Sequence, residues 1–471
     1  MCAVGKTGVE IKLFFTAKMK KFLQMGKGAR SVKKTDIFDS IIPMYYLSKY
    51  TGLAPVSLAY THDKQARVGV TLKTSVPAVL YTVLWITGIA AAQCYVLMFY
   101  RFDKLSYGTE QTKQVLVVEF AISGITCVTS LVIGLTRIRK EMDSLLYKIS
   151  VIDTLLDTKN DILRGNVIYM RVHVISLTFV LFIVYAYDFA SAHSHSTIGL
   201  WVTAIYVCNF IRKVTIMQYV NLVSLLKQKF QILNSYLGSA ENHTQHRPDN
   251  NLWEILLQTP GFRNEDNWKD DALQIEALYQ ALNGHYSNIT MQDSSSTCIQ
   301  NSWLHKEKLR CRALRIIWDV LCDISSSVNS MYGLQILLCI MSAFIEVTTN
   351  LSYSIIILKV QVFTNVMHYH KLAALFIWAL MEFCQLCWIS ATCSPACGEA
   401  HRSVTLLQKL LLVPELHPVI AAEIQLFLHQ MRDRKPKFTA WDVFTINYSI
   451  LGSILGTIIT LLVILVQMQA N

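Results

Sequence analysis

Acidic and amide side chains inside long apolar runs are the residues of this chain best placed to do chemistry. Glu119, Asp188, Glu346 with Asn350, and Glu382 with Gln385 all fall in stretches otherwise rich in Leu, Ile, Val and Phe. A charge in hydrocarbon is expensive, so each carboxylate needs a cavity, a partner or water. Aromatic residues accompany them: Tyr185, Tyr187, Trp201, Tyr206, Tyr353 and Trp378. Aromatic walls with a few acceptors suit a hydroxylated or cationic small molecule. Sugars stack on rings and hydrogen-bond to carboxylates, and amines make cation–π contacts. Glu119 and Asp188 lie near enough to the ends of their runs to be simply wet, and Tyr187 and Trp201 sit where interfacial anchors do. Glu346 and Glu382 lie further in, where water arrives only through a cavity. They are the strongest candidates for a ligand pocket or its support.

No catalytic constellation competes. The chain has no Gly-rich phosphate loop, no His-Glu-x-x-His, no serine elbow and no Gly-x-Gly-Asp. Cys384-x-x-Cys387 and Cys393-x-x-x-Cys397 have no histidine pair at zinc-like spacing and read as small buried hydrophobes. Neither an enzyme, a metal nor a cofactor is expected. His193 and His195 flank a very short loop and read as surface residues, pH sensing being their other possible use.

The elements that must position these groups are membrane spans. The chain is 53% hydrophobic and 16% charged, with a mean hydropathy of +0.36, values that mark a polytopic membrane protein. Its net charge of +11 lies mostly in loops beside apolar runs, as membrane orientation requires, which excludes nucleic acid as a partner. Seven spans are expected, over about 76–99, 115–135, 169–190, 198–220, 331–358, 372–392 and 443–468, with Arg212 and Lys213 near the end of the fourth. The runs are too long for barrel strands, so the expected fold is all-α with seven transmembrane helices.

Lysine and arginine counts orient the bundle. The segment before the first span holds 13, the loops in order hold 3, 6, 0, 10, 2 and 6, and none follows the seventh. The alternation places the N-terminus in the cytosol and the C-terminus outside. The first 75 residues hold no cleavable signal pattern and are expected to stay cytosolic. That orientation is the reverse of a G-protein-coupled receptor, and neither an Asp-Arg-Tyr after the third span nor an Asn-Pro-x-x-Tyr in the seventh is present. No internal repeat of the kind most secondary transporters carry is evident. The inner loops show helical spacing of apolar residues at Met142, Leu145, Leu146, Ile149, Ile152 and Leu156, again at Leu222, Leu225, Leu226, Phe230, Leu233 and Leu237, and over 404–412 and 419–428. Residues 238–301 are polar and aperiodic and read as a flexible insertion. Its sequons at Asn242 and Asn288 stay bare if the loop is cytosolic.

The last run is not uniformly greasy. Ser449, Ser453, Gly456, Thr460, Ile464 and Gln467 fall on one helical face. Such a stripe either packs closely against another helix or lines a wet path. The same stretch carries a resemblance. Thr460, Leu461, the apolar run 462–466, Gln467 and Met468 resemble the C-terminal signature of insect gustatory receptors, which reads Thr-Tyr, five apolar residues, Gln-Phe. Leu461 replaces the Tyr and Met468 the Phe. Upstream, Phe438-Thr439-Ala440 and Phe444-Thr445-Ile446 also look like that family's entry to its last helix. Residues 42–58 resemble the short segment before its first helix, with some likeness to the fructose-receptor branch.

The resemblance implies a tastant-gated, nonselective cation channel in the plasma membrane of sensory neurons, responding to a sugar or a bitter compound. It implies a homotetramer, or a mixed tetramer with related subunits, in which the seventh helix of each lines one pore through Ser453, Thr460, Ile464, Gln467 and Met468. The ligand site would draw on Glu119, Asp188, Glu346, Asn350, Trp378, Glu382 and Gln385. The implied division is a basic N-terminal segment over 1–75, helices one to four with cytosolic extensions over 76–236, and the insertion over 237–315. Helices five and six follow over 316–398, anchor helices over 399–440 and the pore helix over 441–471. Other readings are an odorant-receptor-type channel subunit, or a non-channel receptor signalling through its inner loops.

Overall fold

The computed structural model describes residues 37–62, 68–99, 110–155, 160–192, 199–243, 296–359, 366–413 and 416–468. Most of the insertion, together with His193, His195 and Asn288, lies outside them.

Helix α1 (Ile37–Tyr50) leads into a two-stranded antiparallel sheet, β1 (Val56–His62) and β2 (Val68–Thr74), registered from Val56 opposite Thr74 to His62 opposite Val68. The long helices follow: α2 (Val76–Phe99), α3 (Glu110–Ile133), α4 (Arg139–Leu155), α5 (Asn160–Ala192), α6 (Gly199–His243), α7 (Ser296–Lys359) and α8 (Val366–Leu411). A π-helical turn, Gly134–Ile138, joins α3 to α4 without a break. The backbone of Leu53 crosses this turn so closely that a β-carbon at Gly134 would lie 2.6 Å from the Leu53 carbonyl oxygen, so only glycine fits. Helix α9 (Pro418–Asp433), a short hairpin of β3 (Thr439–Ala440) and β4 (Phe444–Thr445), and α10 (Tyr448–Met468) complete the chain.

Among the described residues, four helical stretches are long and apolar enough to cross a membrane: Val76–Met98, Val117–Leu146, Cys311–Ile355 and Leu372–Leu411. Shorter apolar stretches, Val172–Tyr187 and Tyr448–Ile464, lie in α5 and α10. The expected fourth span is helical in α6, and Arg212 and Lys213 lower its hydropathy. The helices far outrun the spans. At ~1.5 Å per residue α7, with 64 residues, is ~96 Å long.

One apolar core fills the end of the bundle built from α4, the last half of α6, the first half of α7, the end of α8, and α9. It is centred on Leu146, Ile149, Phe230, Trp318, Leu407 and Phe427. A second core, around Leu53, Cys127, Leu131, Ile211 and Met217, ties α1 to α3 and α6. Lys229 is 2% exposed in the first core, and burial pushes its ammonium down to about 8.

Two departures from the sequence reading are informative. Residues 56–62 and 68–74 pair as strands within what was expected to be a basic N-terminal segment without strands. The last helix starts at Tyr448 rather than 443, because Val443 to Thr445 belong to the β3–β4 hairpin. Trp441 and Asp442 turn that hairpin at φ of 50° and 57°, and Asp442 accepts a hydrogen bond from the Thr439 hydroxyl at 2.8 Å. The turn rests on α7 at Gly333, where a β-carbon would meet the Trp441 amide nitrogen at 3.0 Å.

Candidate functional site

The expected carboxylates converge, and on partners the sequence reading left aside. Arg212 and Lys213 point from α6 between α7 and α8. Arg212 donates to both oxygens of Glu346, at 2.7 Å to Oε2, to the Ser342 hydroxyl, and at 2.9 Å to Glu382 Oε1. Lys213 Nζ donates to the same Glu382 oxygen at 2.5 Å and to Gln385 Oε1. Arg212 and Glu382 are 1% and 0% exposed, so the cluster is dry. Glu119 of α3 completes it from the side: its carboxylate lies against the Thr349 hydroxyl, and its Oε2 is buried without a hydrogen bond.

The fork of Arg212 explains the arrangement. A planar guanidinium holds one carboxylate in bidentate fashion and still reaches a second, which a lysine does not do. Taking these charges out of water is costly, and the attraction repays the cost only while every partner is present. Glu346, Glu382 and Gln385 are therefore already engaged by the protein's own cations, and their first role is to hold α6, α7 and α8 together. The expectation of free acceptors at mid-span changes accordingly. Arg212 and Lys213 looked like the boundary of a span, but α6 continues to His243. Opposite charges in neighbouring apolar runs were the available signal.

Three carboxylates meet two cations, and several buried polar atoms find no hydrogen-bond partner among the described residues: Glu119 Oε2, Glu382 Oε2, Gln385 Nε2, Arg212 Nε and the Tyr185 hydroxyl. Above the cluster the aromatic residues form a wall. Tyr185 stacks on Tyr206 at 4.7 Å and 18° and on Trp378 at 5.4 Å and 26°, and Tyr206 stacks on Trp378 at 6.1 Å and 15°. Trp378 is one turn before Glu382 on α8, so wall and ion cluster adjoin. Tyr187 is apart from the wall and shares a hydrogen bond with His370 at 3.0 Å. Asn350 is half-buried one turn beyond Glu346. Asp188 lies on α5, but its side chain, like those of Trp201 and Met468, is outside the described residues.

The other expected set lies on α10. Among the described residues, this helix packs chiefly on α7 and α8. Ser453, Gly456, Thr460, Ile464 and Gln467 are all exposed, as are Leu455, Ile459 and Val463. Ser453, Thr457 and Thr460 donate their hydroxyls back to the carbonyls of Ser449, Ser453 and Gly456, at 3.4, 2.9 and 2.9 Å. Among its described side chains only Ile458 is fully buried.

A bundle of over-long helices, a buried charge cluster between them and an apolar last helix left largely bare describe a polytopic membrane protein. A family model described as the 7tm chemosensory receptor matches residues 41–471, so the chain belongs to that family, which holds the insect gustatory and olfactory receptors. Among solved structures, the insect olfactory receptor OR5 from Machilis hrabei matches with a TM-score of 0.51 at 12% identity, over 91% of this chain and 97% of that one. OR5 in complex with eugenol matches with a TM-score of 0.48 at the same identity and coverage. At 12% identity the first likeness shows the fold: an all-α, seven-helix membrane protein. No curated protein matches the sequence.

Proposed function

We propose that this chain is a gustatory receptor and works as a tastant-gated, nonselective cation channel whose pore is lined by α10 of four subunits. The observation that carries the reading is α10 itself. An apolar helix with a stripe of small and polar residues is left exposed by its own chain, and one such helix cannot enclose a pore. Four copies around an axis give the stripe water and the remaining face protein. Ile464, Gln467 and Met468 then form the outer constriction, with the N-terminus and the α4–α9 end in the cytosol of a sensory neuron. The receptor stands as a homotetramer or with related subunits.

The ligand, a sugar or a bitter compound, enters from outside and meets the Tyr185–Tyr206–Trp378 wall. Its polar groups satisfy the Tyr185 hydroxyl and the spare oxygens of Glu119 and Glu382, with Asp188 and Asn350 at the margin. Gln385 supports Lys213 from behind. The open state has to bind ligand more tightly than the closed one for binding to open the channel.

Whole-cell current from the chain expressed alone, against a panel of sugars, amines and bitter compounds, tests this. A fast cation current is expected without G-protein cofactors. Tyr185→Phe should shift the half-maximal concentration by about tenfold, the worth of one hydrogen bond to a polar ligand, at unchanged surface expression. Gln467→Cys should make the current sensitive to a membrane-impermeant thiol reagent against the wild-type background. Current that ignores both changes would refute the site and the pore together.

A further inference from the structure

The hairpin between α9 and α10 covers a cavity of about 250 Å³, far along the chain from the aromatic wall. Its walls are apolar: Trp318 from α7, Ala400 and Val404 from α8, Met431 from α9, and Phe438 and Ile446 from the hairpin strands' flanks. Its rim is basic. His401, Lys435 and Lys437 line it and are exposed, and no carboxylate is among its lining residues. Trp318 is 1% exposed, and its indole N–H finds no hydrogen-bond partner among the described residues. A buried donor left without an acceptor is costly and calls for an explanation. Asn447, which lines the cavity, immediately precedes Tyr448, the first residue of apolar α10, so a bilayer crossed by α10 would have its headgroups meet its chains near this level.

We propose that this cavity binds an anionic amphiphile: a single acyl chain bearing a carboxylate, or one acyl arm of an anionic phospholipid. Each feature supplies one part of the match. The apolar walls take the chain, the indole N–H takes a carboxylate or ester oxygen, and the rim takes the negative charge. The volume is just under the ~300 Å³ at which sites for drug-sized molecules begin, which favours a slender chain over a ring system. With this end in the cytosol, as proposed above, the rim faces the leaflet whose negative surface attracts Lys and Arg. Occupancy fills the space beneath the hairpin and stiffens the joint through which α9 and the bundle hold α10.

The test uses the full-length receptor in phosphatidylcholine nanodiscs, photolabelled in separate arms with diazirine-bearing palmitate and with diazirine-bearing phosphatidylserine. Label is expected on peptides spanning 394–404 and 431–447. Val404→Trp, which fills the cavity, should abolish it. Lys435→Gln with Lys437→Gln, at two exposed positions where folding is not at stake, should reduce it at least fivefold while label elsewhere on the chain is unchanged. Palmitate alone labelling names a free acyl carboxylate, and phosphatidylserine alone names a membrane lipid. Absence of label there from both probes, or equal labelling by an uncharged diazirine-bearing monoacylglycerol, would overturn the proposal. Ligand-evoked current is not read in this experiment, so its outcome is independent of the channel assignment.

Discussion

Two charge clusters brace α7, and they solve the same problem in opposite ways. At mid-span, Arg212 and Lys213 meet Glu346 and Glu382 with side chains at most 6% exposed, and each charge has a geometry no other residue can supply. At the far end, Glu423 of α9, its own side chain 8% exposed, is shared by Lys308, Arg312 and Arg315 at 3.7, 3.0 and 3.8 Å, with those cations 28–39% exposed. Arg434 there bridges Asp319 and Asp323 at 2.5 Å each, itself 45% exposed. The dry cluster is irreplaceable member by member. The wet one is redundant on its cationic side, since water and neighbouring cations stand in for the loss of any one exposed cation. A buried pair specifies how helices meet, and a wet pair merely favours it.

The comparison breaks first at Arg212. Arg212→Met leaves Glu346 buried and unpaired, at a cost of about 3–5 kcal/mol, and should remove the folded peak in fluorescence-detected size exclusion. Arg212→Met with Glu346→Met should recover part of it, since apolar residues can replace a buried pair. Full yield from the single variant would mean the cluster is not structural. Next in size is Lys229, a buried cation of the end region. Burial holds its folded-state pKa at about 8, below the 10.5 of a solvated lysine. Between these values the unfolded chain binds the extra proton, so stability rises with pH from about 8 to 10.5, and below 8 the penalty is fully present. Lys229→Met should flatten that slope, read as the melting temperature at pH 8 against pH 10. A slope unchanged in the variant would locate its origin elsewhere. The wet cluster should show the smallest effects. Arg312→Gln should cost about 1 kcal/mol, and Arg434→Ala less than about 1 kcal/mol, both shrinking in 0.5 M salt. Loss of folded receptor from either would erase the distinction between the two clusters.

The sequence shows much of this, unevenly. The spans are legible because apolar runs of their length have few other uses, and Glu119, Glu346 and Glu382 stand out because a charge in such a run is conspicuous. Their partners were harder to read. Arg212 and Lys213 have the same contrast, but a basic pair also marks where a span ends, and only the packing of α6 between α7 and α8 tells the two apart. The β1–β2 pair had a local signal, with Val56, Leu58 and Tyr60 alternating with Ser57, Ala59 and Thr61. The β3–β4 turn had none. Trp441 and Asp442 are neither glycine nor asparagine, and their positive φ is held by contacts to Thr439 and to the α7 backbone at Gly333, which lies far away in the chain. Helix ends were equally hidden, because the amphipathic period carries α6 and α7 beyond the apolar runs, and α8 continues through Pro395, a residue that ordinarily ends or kinks a helix.

The unbroken length of α7 has a mechanical consequence. A rod of ~96 Å pivoting about one end carries the other ~3 Å for a tilt of only ~2°. Glu346 stands near one tip of this rod, the salt-bridged Asp319 and Asp323 further down it, and Gly333 between them, touching the hairpin that leads into α10. A disturbance too small to notice among the stacked rings therefore arrives at the opposite end as a displacement the size of a side chain, with the hairpin riding on the lever partway along.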